Sequence, residues 1–211
     1  MQPSEDKITK YVDKDVEDEL SPMNPPDAFE PPGLIDVSRE EMSPFLQSLM
    51  DDHDAFATGL DAFEGILNAI PENGITEETN AGLSKFFEYF DTEFIAHHKN
   101  EERELFPALK KKLVEEGEHS QGAVAVTGVD VMIDEHLRAI QLAAIVFNFF
   151  GLSARLPDPA SRLVALDAAI EQGRALVEVL RLHMFREDKI IFPLAHTHLS
   201  RDTMDGMTRT G

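Results

Sequence analysis

An all-α architecture, an antiparallel up-down-up-down four-helix bundle behind an acidic, proline-containing N-terminal extension, is the expectation for these 211 residues. Three observations lead there. Apolar residues recur at helical spacing in four long stretches, and no alternating strand pattern competes with them. The connections between the stretches are modest in length, which suits antiparallel neighbours. A phrase then occurs twice: His97-x-x-x-Glu101-x-x-x-x-Phe106-Pro107 returns as His183-x-x-x-Glu187-x-x-x-x-Phe192-Pro193. An acid-flanked histidine, His53 or His136, precedes each copy by 44 and 47 residues, so the bundle reads as a duplicated helix pair.

In chain order, a leader comes first. Residues 1–41 hold twelve acidic residues, four basic ones and six of the twelve prolines, too polar a mixture to bury much. Within it Ile8, Tyr11, Val12, Val16 and Leu20 suit a short amphipathic helix that docks on the body or on another subunit, and residues 21–37 read as a proline-rich linker. We place the leader at 1–37, the bundle at 38–200 and a short tail at 201–211. Ser38-Arg39-Glu40-Glu41 has the capping-box pattern that opens the first helix. Leu46, Leu49, Met50, His53, Phe56, Ala57, Leu60, Phe63 and Leu67 then mark its apolar face up to Pro71-Glu72-Asn73-Gly74.

The second helix is expected to start near Thr76, with Leu83, Phe86, Phe87, Phe90, Phe94, His97, Glu101, Leu105 and Leu109 inward. Pro107 lacks an amide donor and should bend or end its regular part. Glu115 to Gly128 connects the repeats. The third helix, the most apolar segment, sets Val129, Met132, Ile133, His136, Ile140, Ala143, Phe147 and Phe150 inward before Gly151. Asp158-Pro159 forms an N-cap followed by proline in the first turn of the fourth helix. Leu163, Leu166, Ile170, Val177, Leu180, His183, Met184, Glu187 and Ile191 follow, and Gly173 permits a close helix approach.

Composition narrows the chemistry. The chain has no cysteine, which removes thiolate metal sites, disulfides and cysteine nucleophiles and leaves imidazole and carboxylate as strong ligands. A formal charge of −21 opposes nucleic acid and anionic membrane surfaces as partners. No apolar run approaches the ~20 residues of a membrane span. The first residues lack the basic-then-apolar order of a secretory signal, so a cytoplasmic protein without a membrane partner is the expectation.

A histidine and a glutamate four residues apart project from one helix face, one turn apart. Each of the four helices presents one histidine on its apolar face, and two add a glutamate in the same face. A lone inward histidine is ordinarily a hydrogen-bonded core residue, but an unpartnered buried carboxylate costs several kcal/mol, so two of them call for a cation or a polar network. His53, His97, Glu101, His136, His183 and Glu187 are therefore the candidate metal ligands. Such a set suits iron, manganese or zinc, and its carboxylates can bridge two ions. The ferritin-type Glu-x-x-His pattern occurs once, at Glu116 and His119, inside the connection.

Order, spacing and the trailing Phe-Pro together resemble the hemerythrin-like, or HHE cation-binding, family over about residues 40–196. That resemblance implies a non-haem centre of two iron ions in the bundle core, with His53, His97, His136 and His183 as terminal ligands and Glu101 and Glu187 bridging. It implies dioxygen or a related small oxidant as partner, with oxygen binding or sensing as the function. A di-iron oxidase or peroxidase, an iron-centre repair factor and an iron-responsive regulatory module are the alternatives, and a homodimer is a possible assembly. Repair-associated relatives commonly carry a cysteine-containing segment that this chain does not match.

Departures from the family pattern leave three residues open. Oxygen-carrying hemerythrins place another histidine four residues after that of the third helix, where this chain has Ile140. His98 either fills that gap or faces solvent, and a pairing of His98 with Glu102 keeps the spacing of four. Asp188 matches the aspartate that the carriers use five residues after the last histidine. It stands about 140° from His183 around the helix, against about 40° for Glu187, which favours Glu187. Asp52, Asp54 and Glu135 read as acids that orient imidazoles or lie at the surface. The phenylalanines read as core packing that also keeps the site dry.

Overall fold

The computed structural model describes residues 36–209, which form helices and connections with no strand among them. The expected leader helix and most of the proline-rich linker lie outside the described residues. The long elements are α1 (Pro44–Asn73), α2 (Glu77–Tyr89), α3 (Ile95–Asn100), α4 (Phe106–Glu116), α5 (Gly128–Arg155), α6 (Pro159–Arg186), α7 (Phe192–His198) and the short α8 (Arg201–Asp205). π-helical turns at Phe90–Phe94 and Glu101–Leu105 join α2, α3 and α4 into one rod, and a third at Glu187–Ile191 joins α6 to α7. With α1 and α5 these make a helical bundle in which α5 lies along α6 and α1 packs on both α2 and α6.

The ends follow local chemistry. Ser38 and Glu41 do form a capping box, but it closes only a 3-10 turn at Arg39–Glu41. The first long helix opens later, because Pro44 holds Ser43 in an extended conformation and the Ser43 hydroxyl accepts from the Leu46 amide. Thr76 caps α2 through Thr79, Thr127 pairs with Asp130 at the start of α5, and Asp158 accepts from the Ser161 amide ahead of α6. Gly117 ends α4 in the left-handed conformation at φ 84°, which a Cβ would disfavour.

Pro107 and Pro193 each sit one residue into a resumed α-helix, directly after a π turn. Proline removes an amide donor and crowds the carbonyl four residues back, and the wider π turn relieves both while the rod continues. The expected bend at Pro107 thus takes the form of an inserted residue, and the Phe-Pro of the repeated phrase marks it in both copies.

Two apolar clusters sandwich a polar layer. One is built on Leu60, Phe63, Leu67, Phe86, Val146 and Leu180, with Phe63 stacked on Phe86 at 3.9 Å between centroids. The other gathers Leu46, Leu49, Leu105, Phe106, Leu109 and Phe192. Three residues expected inward are exposed: Ile140 at 41%, Phe147 at 60% and Leu163 at 61%. A helix that is apolar nearly all round cannot bury every face in a bundle of this size, so part of α5 meets solvent. By length and composition alone the same helix is also long and apolar enough to cross a membrane. It carries His136 into the bundle core and lies along α6.

Candidate metal centre

The six predicted ligands converge in the polar layer. His53 from α1, His97 from α3, His136 from α5 and His183 from α6 are all buried, and Glu101 and Glu187, which open two of the π turns, are 0% exposed. His53, His97, Glu101 and Glu187 bring one ligand atom each to within 4.8 Å of one another, and His98, His136 and His183 do the same beside them.

The inner contacts set carboxylate oxygens against imidazole nitrogens. Glu187 lies 3.2 Å from the Nε2 atoms of both His53 and His183, and Glu101 lies 3.4 Å from that of His97 and 3.5 Å from that of His136. None of the four carboxylate oxygens makes a hydrogen bond. The Nε2 atoms of His53 and His97 approach to 3.1 Å, a contact that two bare lone pairs do not tolerate and that a shared proton or a cation resolves. Burying two carboxylates this way is costly unless positive charge accompanies them.

The outer contacts follow the repeat. The acid preceding each upstream histidine orients the second histidine of its own copy: Asp52 accepts from His97 Nδ1 at 3.1 Å and Glu135 from His183 Nδ1 at 3.2 Å. The acid following each buried glutamate orients the first histidine of the other copy: Glu102 accepts from His136 Nδ1 at 2.7 Å and Asp188 from His53 Nδ1 at 2.8 Å. With Nδ1 donating in all four rings, every Nε2 faces inward, the orientation in which it can give its lone pair to a metal in exchange for a proton. The phenylalanines of the two Phe-Pro steps complete the exchange, Phe192 stacking on His53 and Phe106 on His136.

Charge in the cluster is strongly displaced. Burial lowers the basicity of His53, His97 and His136, but the carboxylates outweigh it and push them up to about 10, 9 and 11. For Glu187, burial acts upward, and His183, His136 and His53 together hold it well below the usual carboxylate range. Burial, then the neighbouring imidazoles of His136 and His183, press His98 well below the ordinary histidine value, so it stays neutral with a free lone pair.

His98 is the main addition to the expected set. Rather than facing solvent it is 4% exposed, stacked 3.5 Å from His136, and its Nδ1 is buried without a hydrogen-bond partner. Ile140 lies on the exposed side of α5, away from the gap that His98 occupies. Glu102 and Asp188 serve as imidazole acceptors through Nδ1 contacts. The repeat held the signal for these two, because an acid follows the buried glutamate in both copies, at Glu101-Glu102 and Glu187-Asp188. Asp54 pairs with Arg39 at the surface, and His119 bonds the Ser120 carbonyl outside the centre.

A cavity of about 30 Å³ reaches the cluster between α1, α2 and α6, lined by residues that include Asp52, Phe56, Tyr89, Phe94, His98 and Met184. That is space for one or two water-sized groups. The half-buried Tyr89 stands at this cavity, stacked on Phe56.

A family model, the hemerythrin HHE cation binding domain, matches residues 45–195. No curated protein and no solved structure matches the chain.

Proposed function

The chain belongs to the hemerythrin HHE cation-binding domain family, and from that premise we propose that it carries a non-haem di-iron centre that binds or senses oxygen or a related small oxidant. The observation that carries the reading is the pair Glu101 and Glu187, both 0% exposed, with four oxygens that lack hydrogen bonds and face inward-pointing imidazole Nε2 atoms. His53 and His97 would hold one ion, His98, His136 and His183 the other, with the two carboxylates shared between them. This division follows the two groups into which the ligand atoms fall.

Bound there, an iron pair would supply electron exchange with a small oxidant. The protein's own part is preorganisation. Asp52, Glu102, Glu135 and Asp188 lock the four imidazole rings, and the apolar clusters above and below keep bulk water out. The cavity at the cluster admits a molecule of a few atoms and no large organic substrate, which favours small-oxidant binding over oxidation of a bulky compound.

Metal content and the near-ultraviolet and visible spectrum, recorded before and after anaerobic reduction and re-exposure to air, test the proposal. The expected result is two irons per chain with oxygen-dependent charge-transfer bands, and loss of iron in His183→Ala. Full iron retention in that variant, or a wild-type protein that takes up only a single zinc, overturns it.

A further inference from the structure

The duplication is broken at one supporting position. In the second copy Arg186, three residues after His183, donates to Glu135, the carboxylate that orients His183. The corresponding residue of the first copy, three after His97, is Asn100, which carries no positive charge. Asp52, the counterpart of Glu135, takes its cation from elsewhere. Arg209 Nη2 donates to Asp52 Oδ2 at 2.5 Å, while its Nη1 reaches Oδ1 at 3.3 Å and the Ser48 carbonyl at 3.2 Å.

The segment that delivers Arg209 is anchored. Beyond α7 the chain crosses towards α1 through α8, where Met204 is 4% exposed and Met207 packs on the apolar cluster around Leu46 and Phe106. Arg103 reaches the Thr208 carbonyl at 3.5 Å. A fork of two guanidinium nitrogens on one carboxylate fixes the carboxylate plane more firmly than a single contact does. Fixing that plane fixes the His97 ring, whose Nδ1 donates to Oδ2 at 3.1 Å.

Resting on the metal-centre reading above, we propose that Arg209 is a positioning residue for that centre. The C-terminal strap supplies the cation that the first repeat lacks, and strap docking is thereby coupled to metal retention at the His53/His97 half. Coupling of this kind is reciprocal: a bound ion that holds His97 in place also holds Asp52 in the orientation that Arg209 grips.

The test uses the full chain loaded anaerobically with ferrous iron, comparing wild type, Arg209→Gln, Arg209→Lys and Arg186→Gln. Iron transfer to a chelator is followed, and the imidazole Nδ1–H resonances are recorded on the metal-free protein. Arg209→Gln is expected to weaken one of the two irons by about 10- to 100-fold, the range for loss of a ligand-orienting contact, while Arg209→Lys, which keeps the charge without the fork, recovers only part of the loss. The His97 Nδ1–H signal should fade in Arg209→Gln with that of His183 intact, and Arg186→Gln should reverse the pattern. Wild-type iron release with an unchanged His97 signal in Arg209→Gln, or equal loss from both halves, overturns the proposal. A wild-type protein that takes up no iron defeats the di-iron reading instead, and the His97 resonance still decides the role of Arg209.

Discussion

His98 occupies the position that the second repeat fills with Met184, so the two halves of the cluster differ by one imidazole. Its ring is buried against His136 and Phe94, and its neutral state leaves a lone pair for an ion. Replacing it with leucine should keep the first ion and weaken the second by at least about tenfold, the order of effect of losing a directed contact at a metal. Competitive chelation with resolved stoichiometry reads this, and equal affinity for both ions in His98→Leu contradicts it. Ile140→His is the complementary case. Residue 140 is on the exposed side of α5, so the added imidazole should leave the iron stoichiometry at the wild-type value. A third bound ion or a new spectral band would show that residue 140 does reach the centre.

At the level of the helices, the two Phe-Pro steps and Gly173 set the spacing of the layers. Each Phe-Pro follows a π turn that opens on a buried glutamate, and it places a phenylalanine ring over a histidine of the other repeat. Gly173 brings α6 close to α1: a Cβ built there would stand 2.9 Å from one Leu67 methyl carbon and 3.0 Å from the other, and Leu67 is fully buried. Gly173→Val should therefore destabilise by about 2 kcal/mol, within the range for overpacking a filled core and larger than the helix-propensity gain over glycine. Urea denaturation checks it, and a stability equal to or above wild type would mean that α1 and α6 separate freely. Ion pairs from Arg181 to Asp61 and Glu64 join the same two helices at the exposed edge, where such contacts contribute little.

For the whole molecule, the metal-free protein balances two buried carboxylates with protons on His53, His97 and His136. His53, His97 and His136 have folded-state values of about 10, 9 and 11 against an ordinary 6.5. A raised value stabilises the fold fully below the ordinary one, and that contribution is lost as pH climbs through the raised ones. The thermal midpoint of metal-free protein should thus fall as pH rises from about 7 to about 10, while the metal-loaded form changes much less because an ion replaces the protons. Calorimetry on both forms decides this, and a midpoint that is flat or rising in the metal-free protein rules out a protonated cluster. Iron uptake at neutral pH should release protons for the same reason, measurable in weakly buffered solution.

Much of this was readable from residues in order. Helical periodicity, the caps at Thr76 and Asp158, and the doubled His-x-x-x-Glu with its Phe-Pro placed all four rods and six cluster residues, because one helix turn dictates which side chains share a face. The capping box at Ser38 points to a helix start but signals only a turn, and Pro44 decides where the long helix opens. Ile140, Phe147 and Leu163 were expected inward because periodicity names an apolar face without saying whether a neighbour covers it. What the sequence determined alone is therefore the local part: helices, their faces, and the ligand spacing within each turn. What only the tertiary structure decided is the pairing across helices: His98 turned inward onto His136, Glu102 and Asp188 reaching the opposite repeat, and Arg209 reaching back to Asp52. Those contacts span tens to more than a hundred residues, and no helical period encodes a distance that folding alone closes.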